Sequence, residues 1–179
     1  MIIYHLTLIL EESAMLIQQH LSTLIDQLHI LKRITSAIEK QPKTYMGVSL
    51  HSNEAHTLKL IAQNEGISQA DLSERMYRTK GATSVAVDKL VKKGLIHRER
   101  EEGNQRRYLL TLTDLGRQVN AAHLSYDDDH TEWAAKYLDL TEEELAVTIK
   151  TVDRIIALYS QHYLEHGVCV GRRDEVSNH

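Results

Sequence analysis

Between Ser68 and Arg107 the chain interleaves cations with hydroxyl and amide side chains that could grip a phosphate or a base edge. They are Ser68, Thr79, Lys80, Gly81, Thr83, Ser84, Val85 and Lys89, then Arg98, Arg100, Asn104, Arg106 and Arg107. Lysine and arginine neutralise phosphates, arginine also fits guanine bidentately, and a branched apolar side chain such as Val85 can meet a thymine methyl. A second group, His123, Asp127 and His130, has spacings of four and three. On a helix these would share a face, and imidazole with carboxylate suits zinc. An acidic run, Asp127-Asp128-Asp129, flanked by ordinary surface histidines would look the same, and no CxxC or HExxH pattern supports a metal. Cys169 has no basic cluster before Arg172, so an inert thiol is its plainer reading. No Ser-His-Asp, Cys-His, phosphate-loop or dinucleotide motif is visible, which argues against an enzyme.

The elements that must position these residues follow from periodicity and caps. Ile17, Leu21, Leu24, Leu28 and Leu31 describe a helical stripe from about Leu6 to Glu39, ended near Pro42 because the residue before proline avoids the α region. Ser52 is expected to cap a second helix that stops near Asn64-Glu65-Gly66, and Ser68 a short third one through Ala70, Leu72 and Met76. Thr79 precedes a helix from Lys80 to about Lys93, with Ala86, Val87, Leu90 and Val91 apolar and Gly94 closing it. Ile96–Glu101 and Arg107–Leu112 read as strands around the polar loop Glu102-Gly103-Asn104-Gln105. Alternation puts Arg98 and Arg100 on one face of their strand. Thr113 can cap the next helix, and Thr141 with Glu144 matches a capping box before the last. The tail from Gly167 to His179 has little to bury.

The chain has 179 residues, one Pro, one Cys and no Phe, with 25 acidic against 21 basic residues. That predicts one globular domain, or one domain with a long appendage, rich in long helices rather than disordered or collagenous. The apolar start, Met1 to Leu10, lacks a basic leading segment and is a poor signal peptide, and no apolar stretch is long enough to span a membrane. A lone Cys169 forms no internal disulfide, which fits a reducing cytoplasm. The net charge of −4 hides an asymmetry. Residues 1–67 carry 5 basic and 6 acidic groups, 68–118 carry 11 and 7, and 119–179 carry 5 and 12. The basic part therefore coincides with helix, turn, helix and hairpin, the order of a winged helix-turn-helix. Such a fold lays one helix in the major groove and a hairpin along the backbone or minor groove.

The stretch from Ser52 to Val119 resembles the MarR family of bacterial transcription regulators. The ending "kL-kkGLi-R" and a wing leading to "LT-xx-G" fall on Leu90, Lys92, Lys93, Gly94, Leu95, Ile96, Arg98, Leu112, Thr113 and Gly116. The resemblance implies a mainly α fold with a small β-hairpin wing and an α-helical dimerisation domain. The expected division is 1–48 for the N-terminal dimerisation helix and linker, 49–116 for the winged domain, 117–166 for C-terminal dimerisation helices, and 167–179 for a flexible tail. It also implies a homodimeric repressor on a pseudo-palindromic double-stranded operator, modulated by a small organic ligand, with no membrane partner. Tyr4, Tyr45, Met46 and Trp133 could line a ligand pocket, or equally serve as core or interface residues. Asn104 stands where the family commonly has an Asp two residues before the minor-groove Arg, here Arg106. A zinc-responsive regulator of the same fold, and a winged-helix protein-interaction module that binds no DNA, are the alternatives.

Overall fold

The computed structural model describes residues 2–165, without the side chains of 2–10, 105–106 and 162–165. The tail expectations, Cys169 included, fall outside the described residues. The chain divides into two compact units, residues 1–42 and 43–179.

The first unit is a single helix, α1 (Ile2–Ile38), which ends before Pro42 as the sequence predicts. Along its apolar stripe Ile17, Leu21, Ile30, Leu31 and Ile34 are exposed, while Leu24 and Leu28 are half-buried.

The second unit opens with a hairpin that sequence reading does not anticipate, β1 (Lys43–Tyr45) and β2 (Val48–Leu50). Its turn residues, Met46 and Gly47, both have positive φ, 50° and 79°, the pattern of a two-residue hairpin turn. A methionine in that conformation is not a turn signal, which is why the hairpin is illegible. Helix α2 (Ser52–Gln63) follows, and its cap is His51 rather than Ser52. The Glu54 carboxylate accepts from the His51 backbone N–H at 2.9 Å, so the acid three residues on reaches back to the cap residue and fixes the start of the helix. Gly66, at φ 83°, then turns the chain into a two-residue strand, β3 (Ile67–Ser68).

Helices α3 (Gln69–Arg75) and α4 (Lys80–Lys92) follow, then β4 (Ile96–Glu101) and β5 (Asn104–Leu112). The sheet is antiparallel with order β3-β5-β4, so the wing hairpin is anchored to the start of α3 through Ile67 opposite Leu110. Leu50, Leu58, Ile61, Leu72, Val87, Leu90, Leu95 and Leu110 form the core beneath it.

Helix α5 (Asp114–Leu138) contains the three-aspartate run, and α6 (Glu142–Glu165) completes the described chain. The Thr113 hydroxyl accepts from Gly116 N–H at 2.9 Å and donates to the Gly94 carbonyl at 2.7 Å. A Cβ on Gly116 would lie 1.9 Å from the Leu95 carbonyl oxygen, so this glycine lets α5 start directly against the end of α4. Thr141 and Glu144 form the predicted box, the Thr141 N–H donating to the carboxylate at 2.9 Å. Among the described residues no helix is long and apolar enough to cross a membrane.

Candidate nucleic-acid interface

The helix-turn-helix is set by its caps. The Ser68 hydroxyl accepts from Asp71 N–H and the Thr79 hydroxyl from Ala82 N–H, each at 3.1 Å, satisfying amides that the first turn leaves open. Between the helices Tyr77 adopts φ 49°. Helix α4 then buries Thr83, Ala86, Val87 and Leu90. Its other face presents Lys80, Gly81, Val85, Asp88 and Lys89 to solvent, with Ser84 half-buried beside them.

Two residues expected to touch DNA face the wrong way. Ser68 is 1% exposed and engaged as a cap. Thr83 is fully buried, its hydroxyl donating to the Thr79 carbonyl at 3.2 Å. A hydroxyl marks a candidate by type, but the 100° helical step decides its face, and Thr83 falls on the apolar side. Thr79 is exposed, with its oxygen occupied in the cap.

On the wing, Arg98 and Arg100 share a face, as alternation predicts. Both lie over the ring of Tyr108 on the opposite strand, 5.4 and 5.7 Å from its centroid. Tyr108 is thus a supporting platform that sequence reasoning missed; its only signal is its place opposite Arg100. Arg98 also meets Asp88 of α4 at 2.6 Å. Arg107 turns toward α3, one guanidinium nitrogen 3.0 Å from Asp71 and the other 3.2 Å from Glu101. Hydrogen bonds from the Ser68 hydroxyl and then from the Arg107 guanidinium hold the Asp71 carboxyl below the usual carboxylate range. Asn104 pairs with Glu101 across the tip. The side chain of Arg106 lies outside the described residues.

The candidate metal group does not assemble. His123 is 3% exposed, stacked on His56 and edge-on to Tyr45, with ring centroids 5.8 and 5.3 Å apart. Asp127 is taken by Lys59 at 2.9 Å, while its other oxygen stands 3.5 Å from His123 Nδ1. Among the described residues neither ring nitrogen of His123 finds a hydrogen-bond partner. His130 packs against Trp133 instead, 5.6 Å between centroids. A spacing of seven between His123 and His130 brings them to one side of the helix but two turns apart, which is why the pattern misleads. Among the described residues no group of three His, Cys, Asp or Glu is placed to hold a metal ion. Burial pushes the His123 imidazole pKa down against the opposing pull of Asp127.

The pocket candidates also part company. Tyr45 packs in the core, Met46 is exposed at the hairpin turn, and Trp133 is exposed against His130 and Tyr137. The side chain of Tyr4 lies outside the described residues.

With this geometry in view, comparison with known proteins identifies the class. Residues 50–108 match the model of the MarR family. That family consists of transcription regulators rather than enzymes. Among individual proteins, the chain is similar to the uncharacterised HTH-type transcriptional regulator YhjH of Bacillus subtilis, at 29% identity over 97 residues. The match covers 54% of this chain and 55% of YhjH, so the chain spans about half the length of that relative. In fold it is similar to the transcriptional regulator SlyA, with a TM-score of 0.67 at 17% identity, covering 78% of this chain and 96% of SlyA. FabT of Streptococcus pneumoniae, solved in complex with DNA, gives 0.55 at 21% identity, covering 81% of this chain and 96% of FabT.

Proposed function

We propose that this chain is a homodimeric, sequence-specific DNA-binding repressor that blocks polymerase access at a pseudo-palindromic operator and is modulated by a small organic ligand. The observation that carries the DNA reading is the outward ridge of α4. There Lys80, Gly81, Val85 and Lys89 are exposed, with Ser84 half-buried beside them, while Ala86, Val87 and Leu90 on the opposite side are buried. The carboxylate on that ridge, Asp88, is matched by Arg98 of the adjacent wing. Such a helix suits the major groove, and Arg100 and Arg106 on the hairpin suit the phosphates or minor groove beside it. FabT, a fold neighbour, is seen bound to DNA, which supports the reading at the level of fold.

Dimerisation is supported by exposed apolar side chains, Leu21 and Leu31 on α1 and Ile149 and Ile156 on α6. Sedimentation should return twice the chain mass. Titrating the intergenic DNA flanking the gene into the protein at rising salt should give a linear fall of log affinity with log salt. A folded dimer that bound none of these fragments at low salt would defeat the proposal.

A further inference from the structure

The segment proposed to meet DNA is basic, yet it places a carboxylate against an arginine on each arm of its wing. Arg98 of β4 meets Asp88 of α4 at 2.6 Å. Arg107 of β5 joins Asp71 of α3 at 3.0 Å and Glu101 of β4 at 3.2 Å, so a single planar guanidinium links α3 to both strands of the hairpin. A carboxylate on a surface that approaches phosphates repels them and neutralises a cation that could attract them. The use of Arg107 lies in its place: it directly follows Arg106 near the tip end of β5.

We infer that Asp71 and Arg107 are a positioning pair: they fasten the wing tip that bears Arg106 to helix α3, and Arg107 itself does not contact DNA. Asp88 and Arg98 fasten the other arm to α4 in the same manner. The wing therefore meets DNA at a preset angle, and the cost of ordering it is met in the free protein. Exposed ion pairs are individually weak, so the restraint is expected as a modest shift in population.

This inference rests on the DNA-binding reading, and its test separates the two. Amide hydrogen exchange at residues 101–107 in the DNA-free protein, and affinity for the flanking intergenic duplex at several salt concentrations, are measured for Asp71→Asn, Arg107→Gln, the double variant, and Asp71→Arg combined with Arg107→Asp. Simple charge counting says that Asp71→Asn tightens DNA binding; the positioning role says that it weakens it, by about threefold for a surface pair. Each single variant should speed exchange at the tip and leave the salt slope unchanged. The double variant should be no worse than either single one, and the charge swap should recover only part of each readout, because it also sets a carboxylate beside Glu101. A slope reduced by about one in Arg107→Gln would make it a phosphate contact and overturn the inference, as would tighter binding by Asp71→Asn or unchanged exchange. If the parent protein binds no duplex, the DNA reading fails while the exchange data still decide whether the pair restrains the wing.

Discussion

The α4–wing surface and the His123 group are both dense in polar side chains, and they differ in where those side chains find partners. On the surface, Arg98 and Arg107 face carboxylates across 2.6–3.2 Å while remaining open to water. Between β1, α2 and α5, His123 is enclosed by Tyr45, His56 and Asp127 with no hydrogen bond to either nitrogen, and Asn120 Oδ1 is likewise unpartnered. A buried polar group in that state destabilises the fold rather than serving a ligand outside it. Residue type therefore nominated both groups equally, and exposure made only one of them available to a large partner.

The sharpest break of this comparison is at the joint that both regions share. Gly116→Ala puts a methyl 1.9 Å from the Leu95 carbonyl, at the seam between α4, the wing and α5. Because a backbone atom cannot step aside, it should cost about 3 kcal/mol or more in urea unfolding and loosen both regions together.

Next in size is the interior. Because the His123 pKa is lowered on folding, the unfolded state binds the proton more readily. Stability should hold above about pH 6.5 and fall as pH drops through the unfolded-state value of about 6.5. Asp127, also lowered, should add its own loss only in the carboxylate range. His123→Leu should be neutral or stabilising at pH 7 and should flatten the first part of that profile, since it removes unpaired nitrogens from a filled site. Melting curves of the variant and parent between pH 5 and 8 check this; a variant destabilised at pH 7 with the same pH profile would give His123 a structural role not described above.

The smallest effects on stability, and the most informative for function, belong to the surface. Lys80→Ala should leave the unfolding midpoint within about 0.5 kcal/mol of the parent, while reducing the slope of log DNA affinity against log salt by about one. Arg106→Ala should weaken operator binding more than binding to unrelated duplex, which competition titrations resolve.

Much of the fold was legible because its signals are local. Thr79, Thr113 and Thr141 each cap a helix within three residues of chain, and Gly66 and Gly94 turn the chain at positive φ. The hairpin at Met46-Gly47, the two-residue strand at Ile67 and the cap supplied by Glu54 were not legible. The first hides a positive φ behind a residue that disfavours it, and the second exists only because β5 runs alongside. In the candidate site, the ridge of Lys80, Val85 and Lys89 followed from helical spacing against Val87 and Leu90. The tether from Arg107 to Asp71 did not, since it joins residues 36 positions apart.

Helix boundaries, the basic middle segment and the wing's alternation are properties of neighbours along the chain, and the sequence by itself determined them. Tertiary structure decided which hydroxyls and imidazoles remain available. Ser68 and Thr83 are turned inward and His123 is walled in by Tyr45 and His56, while Arg98 and Arg107 are held by acids of other helices. Availability depends on what packs against a residue from elsewhere in the chain, and burial changes the energy of a polar group far more than its identity or spacing does.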